Sequence, residues 1–127
     1  MKHDEFDLQV EVCKYLSLQY PKVQFMSDTI ANLKLTITQT SRNKKIQKDS
    51  FKCPDLLILE PRNGFCGLLI ELKLQSPFKK DGNIKASANN HLQGQLETIE
   101  LLNQKGYKAC FSWGFDMTKE IIDDYLK

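Results

Sequence analysis

The spacing of apolar residues predicts four helices along the chain. Residues 4–20 place apolar side chains three and four positions apart, and residues 91–105 repeat that spacing. A last helix, capped by Asp116 or Thr118, buries an apolar face near the end of the chain. The basic stretch 37–48 fits either a helix or a loop, and we favour the helix.

Four strands are predicted between these helices. Residues 22–27 alternate polar and apolar side chains, whereas residues 55–60 and 66–74 are almost continuously apolar. A turn at residues 62–64 makes these two apolar runs a hairpin, and residues 107–113 form the last strand. Runs without alternation indicate a sheet that is covered on both faces.

The order of these elements predicts an α/β fold, with a small mixed β-sheet flanked by helices. The sequence shows no internal repeat, linker or low-complexity segment, so we expect residues 1–127 to form a single domain. The stretch 75–90 is a polar, basic loop, and loops of that length are often functional.

The first helix carries a carboxylate near its inward face. The apolar face that we predict to be buried consists of Phe6, Val10, Cys13, Leu16 and Tyr20, widened by Leu8 and Val12. Glu5 continues the row of Leu8 and Val12, so it lies at the edge of the face that packs inward. A first-turn Glu also stabilises the helix dipole, and that alternative stays open.

Composition excludes several classes of protein. No apolar run approaches the roughly 20 residues of a membrane span, and the charged N-terminal residues do not resemble a signal peptide. We therefore expect an intracellular, cytoplasmic protein with no membrane partner. Four cysteines, Cys13, Cys53, Cys66 and Cys110, are widely spaced without a C-x-x-C pair. We expect buried, reduced thiols rather than a zinc site or disulfides.

Basic side chains are concentrated in two segments, although the net charge is only +2. These segments are residues 34–52 and residues 73–85. They suit contacts to the phosphate backbone of a polyanion, and a solvated lysine-rich surface is the alternative. The candidates for phosphate contacts are Lys44, Lys45, Lys48, Lys79, Lys80 and Lys85.

Two carboxylates and a lysine occupy the predicted hairpin. Asp55 opens its first strand and Glu71 lies near the end of the second, so the two can face each other. Lys73 projects from the same face as Glu71. Oxygen ligands from Asp55, Glu71 and the main-chain carbonyl of Leu72 suit Mg²⁺ or Mn²⁺, which activates water for phosphodiester hydrolysis. The alternative is an exposed Glu71–Lys73 ion pair, because E-x-K alone is a short motif.

The pattern of Pro54-Asp55 followed by Glu71-Leu72-Lys73 resembles the PD-(D/E)XK nuclease superfamily. Nearly the whole chain is similar to its VRR-NUC (virus-type replication-repair nuclease) branch, in the small stand-alone form common in phages and prophages. The matching stretches are residues 5–16, 51–56, 64–73 and 91–107. One position departs from the pattern: Cys53 stands where the family often has glycine, and a Cβ narrows the backbone options there.

The resemblance implies a restriction-endonuclease-like core and a set of site residues. The implied metal ligands are Glu5, Asp55, Glu71 and the main-chain carbonyl of Leu72. Lys73 would be the catalytic lysine, and Gln95 the helix glutamine that approaches the active site. His91 shares a helix face with Gln95, where it could contact phosphate or lie near the metal; a polar residue that only begins the helix is the alternative.

The resemblance also implies a function and partners. The expected activity is that of a Mg²⁺- or Mn²⁺-dependent DNA endonuclease acting on branched or Holliday-type junction DNA in replication, repair or recombination. A homodimer would present two active sites to two strands. The alternative is a non-catalytic nucleic-acid-binding module on the same fold, which gains nothing from carboxylates near phosphate. A third interpretation is a metal-dependent hydrolase of small phosphoesters, but the sequence shows no recognisable small-ligand motif, such as a P-loop, that would support it.

Overall fold

A computed structural model describes residues 4–27 and 35–127. Its helices are α1 (Glu5–Gln19), α2 (Ile37–Ile46), α3 (His91–Gln104) and α4 (Phe115–Leu126), and its strands are β1 (Phe25–Ser27), β2 (Leu56–Ile58), β3 (Leu68–Lys73) and β4 (Lys108–Trp113). All eight predicted elements are confirmed, with shorter bounds for most of them. Lys34, which begins the first basic segment, lies outside the described residues.

The four strands form one sheet in the order β1-β2-β3-β4. Both β1 and β3 run antiparallel to β2, and β4 runs parallel to β3. The hairpin between β2 and β3 turns where the sequence predicted, because Arg62 and Phe65 form a bridge and Asn63 and Gly64 have positive φ angles. The predicted small mixed sheet is confirmed.

Helices cover both faces of the sheet, as the continuous apolar runs predicted. Successive side chains of β3 point to opposite faces. Leu68, Ile70 and Leu72 enter a core with α1 and α4, whereas Leu69 enters a second core with Ile99 of α3. Residues of β3 are buried from Leu68 to Leu72, which explains why the strand shows no polar alternation.

A hydrogen-bonded carboxylate joins α1 to α4. Asp123 Oδ1 accepts hydrogen bonds from the hydroxyl groups of Tyr15 and Tyr20, each at 2.5 Å. Its other oxygen, Oδ2, pairs with Lys119 Nζ at 2.9 Å. Burial alone would raise the pKa of Asp123, but these three donors outweigh it and hold the pKa below its usual range. The ionised form is therefore part of the native packing.

The buried face of α1 is narrower than predicted. Leu8, Val12 and Leu16 are buried, whereas Phe6 is 46% exposed. Phe6 and Val10 line an open groove of about 730 Å³ between α1 and β1. The row that contains Leu8 faces the sheet, and the three-residue edge strand β1 is too short to cover the neighbouring row.

Two other predictions about local structure were wrong. Neither Asp116 nor Thr118 caps α4, whose N-cap is Gly114 without a side-chain cap; Thr118 instead donates a hydrogen bond to the Gly114 carbonyl at 2.7 Å. The cysteines are free thiols, as predicted, but Cys66 is exposed and the other three are only partly buried. Burial raises the pKa of Cys110 to about 11.

Across the described ranges, no helix combines the length and the apolar character that crossing a membrane requires.

Candidate active site

Asp55 and Glu71 lie side by side at one end of the sheet. Leu56 pairs with Ile70 in the antiparallel hairpin, so the adjacent positions on the two strands belong to Asp55 and Glu71. Asp55 Oδ2 accepts a hydrogen bond from the backbone nitrogen of Leu72 at 2.9 Å. The predicted juxtaposition of the two carboxylates is therefore present in the structure, because the hairpin turn sets the register.

Glu71 is a buried carboxyl group, with 4% of its surface exposed. Burial is the main reason why its pKa rises, and a hydrogen bond and repulsion from Asp55 raise it further, to about 10. The charge of Lys73 lowers this pKa and the charge of Glu5 raises it. Two carboxylates this close cannot both be ionised at neutral pH unless a cation neutralises them.

Lys73 ends β3 on the same side as Glu71, two residues further along the strand. Its side chain is partly buried, and its main-chain carbonyl accepts a hydrogen bond from Gly114 at 3.1 Å. Its ammonium group acts electrostatically on both Glu71 and His91. An E-x-K ion pair on an exposed strand, the alternative interpretation, does not fit, because Glu71 is buried.

Glu5 is the first residue of α1, and its side chain is exposed. Its charge reaches both Glu71 and His91, so the packing of α1 brings this carboxylate to the neighbourhood of the hairpin. However, within residues 4–27 and 35–127 no three His, Cys, Asp or Glu side chains are grouped so that they could hold a metal ion. The three carboxylates therefore share one electrostatic environment without forming a direct ligand cluster.

Helix α3 contributes two residues on one face. Gln95 is buried, with 6% exposure, and its Oε1 has no hydrogen-bond partner within residues 4–27 and 35–127. His91, one turn earlier, is exposed; partial burial and the positive charges of Lys73 and Lys52 lower its pKa, whereas Glu5 and Asp55 raise it. His91 therefore lies within the electrostatic field of the site, and it is neutral at physiological pH.

Sequence reasoning missed a hydrogen-bond chain that supports Asp55. Gln9 Nε2 donates to Ser27 Oγ at 2.5 Å, and Ser27 Oγ donates to the Asp55 carbonyl at 2.7 Å. Gln9 is buried, with 4% exposure. The chain ties α1, β1 and the start of β2 together immediately beside the carboxylate pair. A buried Gln in an apolar helix face was the available signal.

Lys52 was counted among the basic residues but was not predicted as a site residue. Its backbone nitrogen donates to Thr98 Oγ1 of α3 at 3.2 Å. Its side chain lies against Gly94, between the turns that carry His91 and Gln95. No local pattern in the sequence pointed to this contact, because it depends on the packing of a loop against α3.

The backbone at Cys53 does not need glycine. Among the described residues other than glycine, positive φ angles occur at Ser50, Asn63, Asn89 and Asn90. Cys53 has an ordinary backbone conformation, so the Cβ that replaces the family's usual glycine causes no strain beside Asp55.

The predicted phosphate-contacting lysines occupy two separate places. Lys44 and Lys45 are exposed in the last turn of α2, a helix with no buried residue, and Lys48 follows it. Lys79 and Lys80 are exposed on a short hairpin closed by a bridge between Phe78 and Ile84. Lys85 follows this hairpin, and its backbone nitrogen donates to the Pro77 carbonyl.

The donor set fits a hard divalent cation. Asp55 and Glu71 provide adjacent carboxylate oxygens, and Mg²⁺ and Mn²⁺ prefer oxygen ligands. Two observations support this fit: burial and the neighbouring Asp55 strongly raise the pKa of Glu71, and the buried amide oxygen of Gln95 has no hydrogen-bond partner among the described residues. Such orphaned polar groups are rare in native structures and often mark a functional site.

A four-stranded mixed sheet between helices, with this carboxylate pair and lysine at one end, defines a PD-(D/E)XK-like nuclease fold. No protein-family model matches the chain, and the comparison with curated proteins gives no significant match. A solved structure described as "VRR_NUC domain protein" is similar over 99% of this chain and 91% of its own chain, with a TM-score of 0.64 and 26% sequence identity. This similarity over nearly the whole chain supports membership of the VRR-NUC family and a nuclease-type domain.

Proposed function

We propose that residues 1–127 act as one metal-dependent DNA endonuclease domain, which hydrolyses phosphodiester bonds in branched or junction DNA. The observation that carries this proposal is the buried Glu71 next to the partly buried Asp55, with Lys73 beside them, in a fold of the VRR-NUC type. A structural or purely DNA-binding protein has no use for a buried Glu71 next to a second carboxylate, because burying that charge costs free energy without a cation.

The proposed cation is Mg²⁺ or Mn²⁺. Asp55, Glu71 and the Leu72 carbonyl would hold it, and Glu5 would join them through its exposed side chain or a water molecule. When bound, a divalent cation lowers the pKa of water and polarises a phosphoryl oxygen. The backbone hydrogen bond from Leu72 orients Asp55, and the chain from Gln9 through Ser27 holds the Asp55 backbone in place.

Lys73 is the proposed catalytic lysine. Its ammonium group lies within electrostatic reach of Glu71 and His91, so it can donate hydrogen bonds to phosphoryl oxygens on which negative charge develops. Gln95 Oε1, a buried acceptor, can orient a water molecule by accepting its hydrogen bond. His91 is neutral and exposed, which suits a hydrogen bond to a neighbouring phosphate.

The proposal is tested with Lys73→Ala in a cleavage assay on single-stranded, duplex, flap and four-way DNA, each with Mg²⁺ and with Mn²⁺. We expect the wild type to cut branched substrates fastest and Lys73→Ala to lose roughly 10²–10⁴ in rate, because it lacks the group that stabilises the developing charge. Binding measured with the cation removed should change little.

Lys105→Ala is the matched control, since Lys105 is exposed at the opposite end of α3 from His91. It should cleave at the wild-type rate. Wild-type cleavage by Lys73→Ala would refute the catalytic assignment. DNA binding without cleavage by the wild type under any condition would instead support a non-catalytic binding module. Sedimentation of the free protein and of its DNA complex tests the proposed homodimer.

A further inference from the structure

Lys52 lies along the surface of α3 in a space left by a glycine. A Cβ built on Gly94 would come within 3.3 Å of Lys52 Cε and 3.5 Å of Lys52 Cγ. The aliphatic part of the lysine therefore occupies the place of a side chain at position 94. Lysine commonly packs its methylene groups on a surface in this way while its ammonium group stays in water.

Three observations give the direction in which Lys52 runs. Its backbone nitrogen is anchored to Thr98 Oγ1, its methylene groups lie against Gly94, and its charge acts on His91. These three contacts involve successive positions along α3 towards its N-terminus, which are Thr98, Gly94 and His91. The positions are four and three residues apart, so they lie on neighbouring turns of the helix. Lys52 therefore extends from the middle of α3 towards the candidate active site.

The ammonium group of Lys52 lies in the same electrostatic environment as the candidate active site. The pKa of His91 is changed by the charges of four neighbouring side chains, which are Lys52, Lys73, Glu5 and Asp55. In the part of the chain that the structure describes, no carboxylate lies within ion-pair distance of Lys52. An ammonium group has three donors and no acceptor, so the ligand that it suits is an anion.

We propose that Lys52 is a substrate-binding residue, which Gly94 holds at the rim of the active site so that its ammonium group contacts a phosphate next to the scissile one. This inference rests on the proposed nuclease function and adds a phosphate contact to the same site. Gly94 acts as a positioning residue, because a Cβ there would come within 3.3 Å of Lys52 Cε and push the lysine side chain away from the helix.

The experiment compares Lys52→Met, Gly94→Ala, the double variant and Lys52→Arg. Methionine keeps the apolar length of the side chain and removes only the charge. The measured quantity is the affinity for a branched oligonucleotide between low and moderate salt, with divalent cations chelated so that binding is separated from cleavage. The KM and kcat with Mg²⁺ are measured in parallel.

Loss of one phosphate contact should flatten the slope of log Kobs against log salt concentration by about 0.9 in Lys52→Met. KM should rise while kcat stays close to the wild-type value. Gly94→Ala should change the slope and KM in the same direction but by less. Lys52→Arg should keep the wild-type slope, because arginine retains the positive charge. The double variant should be no worse than Lys52→Met alone, because both changes act on one contact.

A wild-type salt slope and KM in Lys52→Met would overturn the inference while the nuclease function stood. Strictly additive effects of the two single variants would also overturn it, because Gly94 would then act independently of Lys52. A wild type that neither binds nor cuts DNA would overturn the proposed function as well. Lys105→Met serves as the control for removing a lysine charge elsewhere on α3.

Discussion

Glu71 shows how strongly one residue departs from what stability alone would select. Its carboxyl group is buried on a central strand beside Asp55, and its pKa is raised to about 10 by burial and by Asp55. At neutral pH the folded protein must therefore keep a proton on this pair or accept repulsion between two charges. A glutamine would fill the same space without that cost, which supports the proposed role of this carboxylate in holding a cation.

This reasoning predicts how Glu71→Gln changes stability with pH. The unfolded chain loses the Glu71 proton near its ordinary pKa of 4.5, whereas the folded chain keeps it. Wild-type stability should thus fall as pH rises from about 5 towards 9, because the folded state binds more protons. Glu71→Gln should lack this decline and melt several degrees higher at pH 8, since one unit of pKa corresponds to about 1.4 kcal/mol.

Thermal melts with and without Mg²⁺ check the prediction. With the cation chelated, Glu71→Gln should be the more stable protein at pH 8; with Mg²⁺ present, the wild type should gain stability and the variant should gain little. Asp81→Asn, a change at an exposed loop position, should follow the wild type throughout. Parallel pH profiles for wild type and Glu71→Gln would contradict the assignment of a proton to the pair of Asp55 and Glu71.

Among the helices, α1 depends on α4 for its position. Asp123 of α4 accepts hydrogen bonds from Tyr15 within α1 and from Tyr20 directly after it. Since α1 carries both Glu5 and Gln9, this connection helps to determine where the N-terminal end of α1 lies relative to Asp55. The contact between the two helices is therefore relevant to the site, although it is far from it in sequence.

Asp123→Asn should weaken this connection. An amide can still accept from a tyrosine, but it loses the charge that strengthens both hydrogen bonds and pairs with Lys119. We expect the free energy of unfolding at pH 7 to fall by about 1–3 kcal/mol. Because the pKa of Asp123 is lowered on folding, its contribution exists above its ordinary pKa of 3.8 and is lost as pH falls.

Urea denaturation of Asp123→Asn and the wild type between pH 3 and pH 7 measures this effect. The difference between the two proteins should shrink steadily below about pH 4. The neighbouring Asp124 is exposed, so Asp124→Asn should leave stability nearly unchanged. A difference that is constant over the whole pH range would show that the charge of Asp123 does not contribute.

The distribution of positive charge concerns the whole molecule. The hairpin that carries Lys79 and Lys80 is anchored by Phe78, whose ring packs edge-on against Phe111 and Trp113. Trp113 pairs with Lys73 in the parallel part of the sheet, so the hairpin is fixed beside the candidate site. In contrast, α2 buries none of its residues, and its lysines project into solvent.

Paired substitutions can separate these two basic surfaces. Lys79/Lys80→Ala should weaken DNA binding and flatten the salt slope by about 2, because each lysine releases roughly one counterion. Lys44/Lys45→Ala should have the same direction of effect if α2 also lies along the DNA. Binding isotherms over a range of salt concentrations measure both slopes.

An unchanged slope in either double variant would remove that surface from the DNA footprint. A change confined to Lys79/Lys80→Ala would leave the anchored hairpin as the contact and α2 as a solvated basic surface. The control is Lys22→Ala, which removes an exposed charge between α1 and β1.

The sequence by itself determined the elements and the central pair of the site. Apolar spacing predicted the four α-helices and the four strands that the structure describes, and the turn at residues 62–64 was enough to place Asp55 opposite Glu71. These features depend on short-range interactions, because a hairpin turn sets the register of its own two strands. Lys73 follows from the same strand geometry.

Only the tertiary structure decided which other residues surround that pair. The rotation of α1 against the sheet directs Phe6 towards a groove and Gln9 towards Ser27. In the same way, the packing of α3 brings Lys52 against Gly94. Such contacts join segments that are distant in the chain, and they depend on how each helix is rotated and how closely it approaches the sheet. Local patterns of apolar spacing specify a face of a helix, but not these distances.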